Sequence, residues 1–204
     1  IGVLNKYRNN ISPYDLFPKY RKEKTLREVI GDFPRLEWGE ISKEDFYHAF
    51  RTYDEKMRPW IHDLKEGESA FDNEDIKKRP HRVINGKIVE NVKKNRDKYT
   101  RQKWDRFVQC VHTRNDQLAA QNTVHPDQDR VFSIRELMKM MTVPYDFRWV
   151  DSSLEELNQL GIAEKRKIYK EHEVNIRQCL GEAVPTEIVR QIAHNISNEL
   201  SRKR

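Results

Sequence analysis

Two cysteines and three acid-x-lysine tripeptides have the clearest potential for chemistry in this 204-residue chain. Cys110 and Cys179 stand apart, without the spacing of a metal site or a redox motif. The tripeptides begin at Asp54, Asp63 and Asp75 and could suit a metal-dependent nuclease. That chemistry needs acids that converge on one cation, whereas these acids lie in charged helical or irregular stretches. We therefore expect no nuclease centre and no metal site, and we interpret both cysteines as small packing residues.

The residues from 181 to 185 form a more specific feature, a Gly-Glu-Ala-Val-Pro turn ahead of an amphipathic segment. Gly181 allows the backbone to approach another group closely, and Pro185 suits the first position of a helix. The apolar residues that follow recur at helical spacing: Ile188, Val189, Ile192, Ala193, Ile196 and Leu200. Such a turn favours a polar or anionic ligand, although an ordinary loop-to-helix connection explains the same residues.

Basic charge is concentrated in one segment of the chain. Residues 77–106 carry twelve basic and three acidic side chains, which is +9, so the rest of this +6 chain is −3. A local excess of this kind is typical of a surface that binds polyanions, although a solvated basic loop has the same composition. No apolar run approaches the ~20 residues of a membrane span. The isolated cysteines favour a reducing, cytoplasmic compartment.

Local patterns predict several helices and one hairpin. The helices are expected near residues 25–30, 42–58, 133–143, 152–160, 163–180 and 185–200. Asn85-Gly86 between two β-branched runs predicts a type I′ hairpin. Residues 106–113 alternate in part and predict another strand, whereas residues 62–80 lack a pattern and are expected to form a surface loop.

Three blocks then follow one another in the second half of the chain. The first is Cys-Val-His-Thr at 110–113 with Thr-Val-His-Pro at 123–126, and the second runs from Arg130 through Arg-Glu at 135–136 to Pro-Tyr-Asp-Phe at 144–147. The third is residues 177–185. Their order and spacing resemble the C-terminal part of bacterial DNA (cytosine-5)-methyltransferases, closely over residues 104–204 and more loosely before. In that family the second and third blocks are the ninth and tenth conserved motifs, and the stretch before the ninth is the target-recognition domain.

The resemblance implies a division of the chain. Residues 1–20 would connect from a catalytic domain, residues 21–150 would form the target-recognition domain with the ninth-motif helix, and residues 151–204 would return with the tenth motif. The implied fold class is α+β: a small, basic, β-containing recognition domain flanked by helices. Its C-terminal helical segment would pack back on an α/β methyltransferase domain outside this chain. The implied reaction is methyl transfer from S-adenosylmethionine to C5 of cytosine in duplex DNA, within a restriction-modification system.

The resemblance also assigns cofactor residues. Gly181, Ala183 and Val184 match the turn that lies beside S-adenosylmethionine and closes its pocket. Glu182 stands where the family has an asparagine. A carboxylate could still accept a hydrogen bond from the cofactor, but it would be costly if buried without a donor.

Further residues are assigned to DNA and to the junction between domains. Arg135 and Glu136 match the pair that braces the recognition domain against the catalytic domain, while Ser133 and Glu136 also form a capping box. Thr113 falls near the threonine at the family's DNA-facing edge. Together with the basic segment, the candidate DNA-binding residues are Arg79, Arg82, Lys93, Lys94, Arg96, Arg101, Thr113 and Arg114.

The family's catalytic groups are not recognisable in this sequence. Its nucleophile is a cysteine after a proline, which attacks C6 of a flipped cytosine, whereas both cysteines here follow glutamine. Glu90-Asn91-Val92 imitates a family motif, but no Pro-Cys precedes it and too few residues separate it from the ninth motif. We expect a fragment or subunit that is inactive alone, with duplex DNA and the catalytic half as partners. A stand-alone sequence-specific DNA-binding module is the alternative.

Overall fold

The computed structural model describes residues 12–91 and 95–201. Within them the chain has an α+β fold with one two-stranded antiparallel sheet, β1 (His81–Ile84) and β2 (Lys87–Glu90). The helices are α1 (Leu26–Ile30), α2 (Arg58–Ile61), α3 (Ile134–Met140), α4 (Leu154–Gln159), α5 (Ile162–Glu182) and α6 (Thr186–Ser201). Short 3-10 turns occur at Pro13–Leu16, Glu55–Met57, Ala70–Asp72 and Ile76–Lys78. None of the helices in this part of the chain is both long and apolar enough to cross a bilayer.

Helix α3 lies within the larger hydrophobic cluster. Its predicted capping box is confirmed, because the Glu136 N–H donates to Ser133 Oγ at 3.1 Å and the Ser133 N–H donates to Glu136 Oε2 at 2.7 Å. The helix packs against α1 and α5. The cluster includes Leu26 of α1 and Leu180 of α5. The predicted domain boundary near residue 150 therefore does not separate two hydrophobic cores.

A second hydrophobic cluster forms around Trp60, on α2. The rings of Trp60 and Phe71 both meet Tyr99 edge-on, at 5.8 and 5.9 Å between centroids. Ala70 and Phe71 are buried here although they belong to residues 62–80. The prediction of a surface loop over that stretch is wrong at these positions and at Leu64, because these apolar side chains within a charged stretch hold it to a core.

The predicted hairpin is confirmed. Asn85 and Gly86 have φ angles of +50° and +72°, as a type I′ turn requires at both central positions. The strands pair in register from His81 opposite Glu90 to Ile84 opposite Lys87. Most of the hairpin is exposed.

Two predicted elements are wrong. Residues 42–53 form no helix, because the segment is buried continuously from Asp45 to Phe50 and its backbone is used elsewhere. Ile134 N–H donates to Ala49 O at 3.3 Å, and Arg135 N–H donates to Tyr47 O at 2.9 Å. Residues 106–113 form no strand, with a single bridge between Thr25 and Phe107.

The C-terminal helices largely follow the prediction. Gly161, expected to end α4, is instead the N-cap of α5. Helix α6 begins at Thr186, one residue after Pro185, and none of its residues is buried. It contacts the Pro13–Leu16 turn, and Asn195 Nδ2 donates to Phe17 O at 3.0 Å. Its apolar stripe therefore stays partly exposed, with Ile188 40% and Leu200 40% accessible.

Candidate functional site

Gly181, in the predicted cofactor turn, lies in close contact with the backbone of another segment of the chain. It lies in the last turn of α5, and a Cβ at this position would overlap the backbone of His112 and Thr113. The sequence indicated a close approach here, and its partner is another part of the same chain. The predicted DNA-facing Thr113 and the predicted cofactor turn are thus in direct contact.

A buried amide holds the same two segments together. Asn115 Nδ2 donates to His112 O and to Arg177 O, both at 2.8 Å. Arg177 in turn donates to Asn115 Oδ1 at 3.2 Å and to Phe132 O at 3.0 Å. Asn115 is 3% and Arg177 1% accessible, so both backbone segments are fixed by interactions shielded from water. Sequence reasoning missed Asn115, because its partner lies 62 positions away.

The turn after α5 is exposed but anchored at its far end. Thr186 N–H donates to Met141 O at 3.1 Å, and Glu187 N–H donates to Thr142 Oγ1 at 2.9 Å. Ala183 and Val184 are exposed, Val184 to 57%. The turn therefore joins the C-terminal end of α3 to α6 and leaves Ala183 and Val184 exposed.

Glu182 is exposed, and its Oε1 accepts a hydrogen bond from Gln178 Nε2 at 2.9 Å. The cost expected for a carboxylate buried without a donor therefore does not arise at this position.

Glu136 forms a buried ion pair. Both of its carboxylate oxygens accept hydrogen bonds from Arg130, at 2.7 and 2.8 Å. Burial alone raises the pKa of Glu136, but the charge and hydrogen bonds of Arg130, with smaller contributions from His125 and His48, outweigh it and lower this pKa to about 2. The carboxylate is thus fixed in its charged form while it caps α3.

Arg135 forms a second buried ion pair, with Asp45. Its Nε and Nη2 donate to the two Asp45 oxygens at 2.5 and 3.0 Å. Nη1 donates to Tyr145 O at 2.6 Å, and the guanidinium lies 3.9 Å from the centre of the Tyr145 ring. Arg135 and Glu136 therefore bind two different segments from the first turn of α3.

Comparison with known proteins identifies the family of the chain. The chain matches the C-5 cytosine-specific DNA methylase family over residues 1–198. It belongs to that family. Type II methyltransferase M1.HgaI of Avibacterium volantium is 28% identical over 184 residues, which cover 86% of this chain and 44% of the relative.

Two further relatives extend the comparison. Type II methylase M.HgiDII of Herpetosiphon aurantiacus is 24% identical over 178 residues, covering 87% of this chain and 44% of the relative. DNA (cytosine-5)-methyltransferase 1 of Gallus gallus is 32% identical over 84 residues, 41% of this chain and 6% of that protein. This methylase-family chain spans less than half the length of the two type II relatives.

The predicted DNA contacts of this methylase-family chain differ in exposure. Arg82, Thr113 and Arg114 are exposed. The Arg96 side chain is 82% accessible and pairs with Asp72 at 3.2 Å. Arg79 is partly buried and pairs with Glu90 at 3.0 Å, at the root of the hairpin. The remaining two basic candidates, Lys93 and Lys94, lie outside the described residues.

Arg101 is a correction to that set. Only 4% of it is accessible, and its Nη2 donates to Ile61 O at 2.6 Å and to Asp129 Oδ1 at 2.7 Å. Its Nη1 donates to the carbonyls of His125 and Gln128. A guanidinium occupied in this way is not available to DNA, so we remove Arg101 from the candidate contacts.

The two cysteines are a second correction. Both are exposed, Cys110 in an irregular segment and Cys179 on the outer side of α5. Neither is the buried packing residue that the sequence suggested.

A path of contacts connects the hairpin root with the turn at Gly181. Asp72, the partner of Arg96, is adjacent in sequence to Asn73, whose carbonyl accepts from Arg79 Nε at 2.5 Å. Lys98 bridges to Gln121, and His112 Nε2 lies 2.7 Å from Gln121 O. Lys98 of the basic segment is thus connected through Gln121 to His112, which lies against Gly181.

We predict that Gly181→Ala destabilises the chain. Alanine normally favours a helix interior over glycine by ~1 kcal/mol, but here its methyl group would overlap the backbone, and overpacking of this kind costs roughly 1–3 kcal/mol. The measurement is the free energy of urea unfolding. Cys179→Ala, an exposed site on the same helix, is the control and should change it by less than ~0.5 kcal/mol. Equal stability of the two variants would contradict the close contact.

We predict that Glu136→Gln removes a pH-dependent part of the stability. Because the pKa of Glu136 is about 2 in the folded chain against 4.5 ordinarily, its contribution is complete above pH ~4.5 and disappears as the pH falls towards 2. Near pH 7 the variant should lose about 3–5 kcal/mol, since Arg130 stays buried without its counter-charge.

The measurement is again urea unfolding, at a series of pH values from 2 to 7. The exposed Glu155→Gln, in the first turn of α4, is the matched control and should follow the wild-type curve. A stability difference between Glu136→Gln and wild type that stays constant over this pH range would argue against the lowered pKa.

Proposed function

We propose that this chain is the DNA-recognition and cofactor-site-closing portion of a DNA (cytosine-5)-methyltransferase of a restriction-modification system. The methyl group passes from S-adenosylmethionine to C5 of cytosine in duplex DNA, and the catalytic Pro-Cys loop is supplied by a separate portion of the enzyme. The partners are double-stranded DNA and that catalytic portion.

The observation that carries the proposal is the backbone contact of Gly181 with residues 112–113. It joins the two regions that the family resemblance assigns to cofactor and to DNA. The path from the basic segment through Gln121 to His112 extends the DNA side of this contact. A stand-alone DNA-binding module would need the basic surface but would have no use for the exposed turn.

The cofactor role falls on residues 181–184. S-adenosylmethionine supplies the methyl group when bound. The exposed residues Ala183 and Val184 can line one edge of its site, and the exposed Glu182 carboxylate can accept hydrogen bonds from its amino groups. Gly181 acts by positioning, since its own free side faces the chain. An exposed turn supplies an edge only, so the enclosing walls belong to the catalytic portion.

The exposed stripe of α6 and the buried pairs of Arg135 and Glu136 have separate roles in the proposal. Ile188 and Leu200 lie on a helix without a buried residue, and we assign this stripe to packing on the catalytic portion.

Arg135 and Glu136 brace the recognition region, because their partners lie on different segments of this chain.

The proposal predicts activity only on recombination. A polypeptide from the same genome that carries a Pro-Cys loop and a Gly-rich cofactor turn is combined with this chain. Transfer of tritiated methyl groups from S-adenosylmethionine to duplex DNA is then measured for the mixture and for each component. We expect incorporation by the mixture and background levels from this chain alone, because the cysteine nucleophile lies elsewhere.

Ile192→Asp is the test variant, because it introduces a carboxylate into the apolar stripe of α6. The matched control is Lys170→Asp, which introduces a carboxylate at an exposed position of α5. The first should abolish incorporation by the mixture and the second should leave it unchanged. Methylation by this chain alone, or a mixture that binds DNA but never methylates it, would overturn the proposal.

A further inference from the structure

We propose that the β1–β2 hairpin is a two-stranded ribbon that enters the DNA major groove, with Arg82, Ile84, Lys87 and Val89 facing the bases. This inference rests on the proposed function for its partner, duplex DNA, and adds the element that reads the sequence. Four described features carry it: the register, the attachment of the root, the exposure and the charge.

The register divides the hairpin into two faces. Residues directly opposite each other in an antiparallel pair lie on the same face, and alternate residues along a strand share it. Arg82 lies opposite Val89 and Ile84 opposite Lys87, and these four residues form the outer face. His81, Val83, Ile88 and Glu90 form the inner face. Both basic residues of the strands are therefore on the outer face, and the acidic residue is on the other.

The root of the hairpin is attached by its inner face. The His81 ring lies 5.5 Å from the buried Trp60 ring, and Glu90 pairs with Arg79 at 3.0 Å. Asn73 Nδ2 fixes the approach to β1, since it donates to Lys78 O at 2.7 Å and to Trp60 O at 2.9 Å. The inner face is thus directed towards the body of the protein at its root, and the outer face is directed away from it.

The exposure of the hairpin is unusual for its composition. On the outer face, Ile84 is 52% and Val89 43% accessible. A two-stranded hairpin is marginally stable by itself, and clustered exposed apolar residues usually mark a binding surface. The type I′ turn at Asn85 and Gly86 keeps this exposed ribbon in one geometry.

Size and charge favour DNA as the occupant. The major groove is roughly 12 Å wide and admits a two-stranded β-ribbon, and four residues at ~3.4 Å each reach across about three or four base pairs. Arginine and lysine pair with the acceptor edge of guanine, while isoleucine and valine contact the thymine methyl group. Basic and apolar residues alternate on the outer face, and no carboxylate lies on it to repel phosphates.

The chemistry of Arg82 makes it the principal specificity residue. A guanidinium donates two parallel hydrogen bonds to guanine, whereas an ammonium does not reproduce that fork. Arg82→Lys therefore keeps the charge and removes the bidentate geometry. Val83→Ser alters the apolar surface of the inner face in the same strand and leaves both charges in place.

The test is selection from a duplex library. The full chain, and each of the variants Arg82→Ala, Arg82→Lys, Lys87→Ala, Val83→Ser and Lys170→Ala, is bound to duplexes with twelve randomised base pairs. Bound DNA is sequenced, and affinity for the enriched motif is measured over a range of salt concentrations. Thermal unfolding of each variant reports whether it folds as the wild type does, which we expect because the altered side chains are exposed.

We expect the wild type to enrich a short motif that contains guanine. Arg82→Ala should lose the preference at one position and bind that motif roughly 5- to 150-fold more weakly. Arg82→Lys should lose the same preference with an unchanged salt slope. Lys87→Ala should relax a second position. Val83→Ser and Lys170→Ala should select the wild-type motif.

Other outcomes overturn the inference. If the alanine variants of Arg82 and Lys87 lose affinity equally for all sequences and show a shallower salt slope, these residues contact phosphates rather than bases. If both variants select the wild-type motif, or if the wild type selects no motif, the hairpin does not read the sequence. A change of the selected motif in Val83→Ser, with the wild-type motif kept in Arg82→Ala and Lys87→Ala, would mean that the outer face does not read the bases. Selection that depends on Arg82 without methyl transfer by the recombined enzyme would refute the proposed function and leave the hairpin as reader.

Discussion

The buried ion pair between Arg130 and Glu136 is the interaction on which the arrangement of the chain depends. Arg130 belongs to the segment that reaches the Trp60 cluster through Val131, whereas Glu136 starts the helix at the centre of the other cluster. Either charge would be costly inside the protein without the other. The pair therefore holds the two clusters in one relative position. The same carboxylate also caps the N-terminus of α3, because it accepts a hydrogen bond from the Ser133 N–H.

Buried arginine side chains provide backbone hydrogen bonds that regular secondary structure provides in many proteins of this size. Arg130, Arg135 and Arg177 are among the largest fully buried side chains, and much of the chain between α1 and α3 is irregular within the described residues. Irregular backbone leaves carbonyl groups without ladder partners. Buried guanidinium groups satisfy several of them, such as Tyr145 O and Phe132 O. A chain with only 36% hydrophobic residues can fold this way because Arg135 and Arg177 join segments far apart in sequence.

The same feature explains what the sequence could predict. Local signals were reliable: the capping box at Ser133, the Asn-Gly turn and the long α5 all depend on residues within a few positions of one another. Predictions that needed distant partners were less reliable. The stretch from 42 to 53 has a helical spacing of aromatic residues, but α3 uses its carbonyl groups from 85 and more positions away.

Buried charges were the hardest residues to interpret. Arg101 lies in the most basic segment, and nothing in its neighbourhood in sequence distinguishes it from Arg96. Its partner Asp129 is 28 positions away, and only folding brings the two together at 2.7 Å. Composition therefore identifies a basic segment correctly but does not separate the arginines that face solvent from those that hold the core.

The physical reason for a glycine at position 181 differs from the one that the sequence indicated. A glycine before a helix indicated either a ligand or an ordinary connection, yet its free side is occupied by the backbone of residues 112–113. Because backbone meets backbone there, no side chain can adjust to absorb a displacement. Asn115 also ties the two segments together. In the proposed enzyme, Thr113 and the segment that leads into the turn at Ala183 and Val184 are therefore held in one fixed relation, and Gly181 is the point at which the two segments meet.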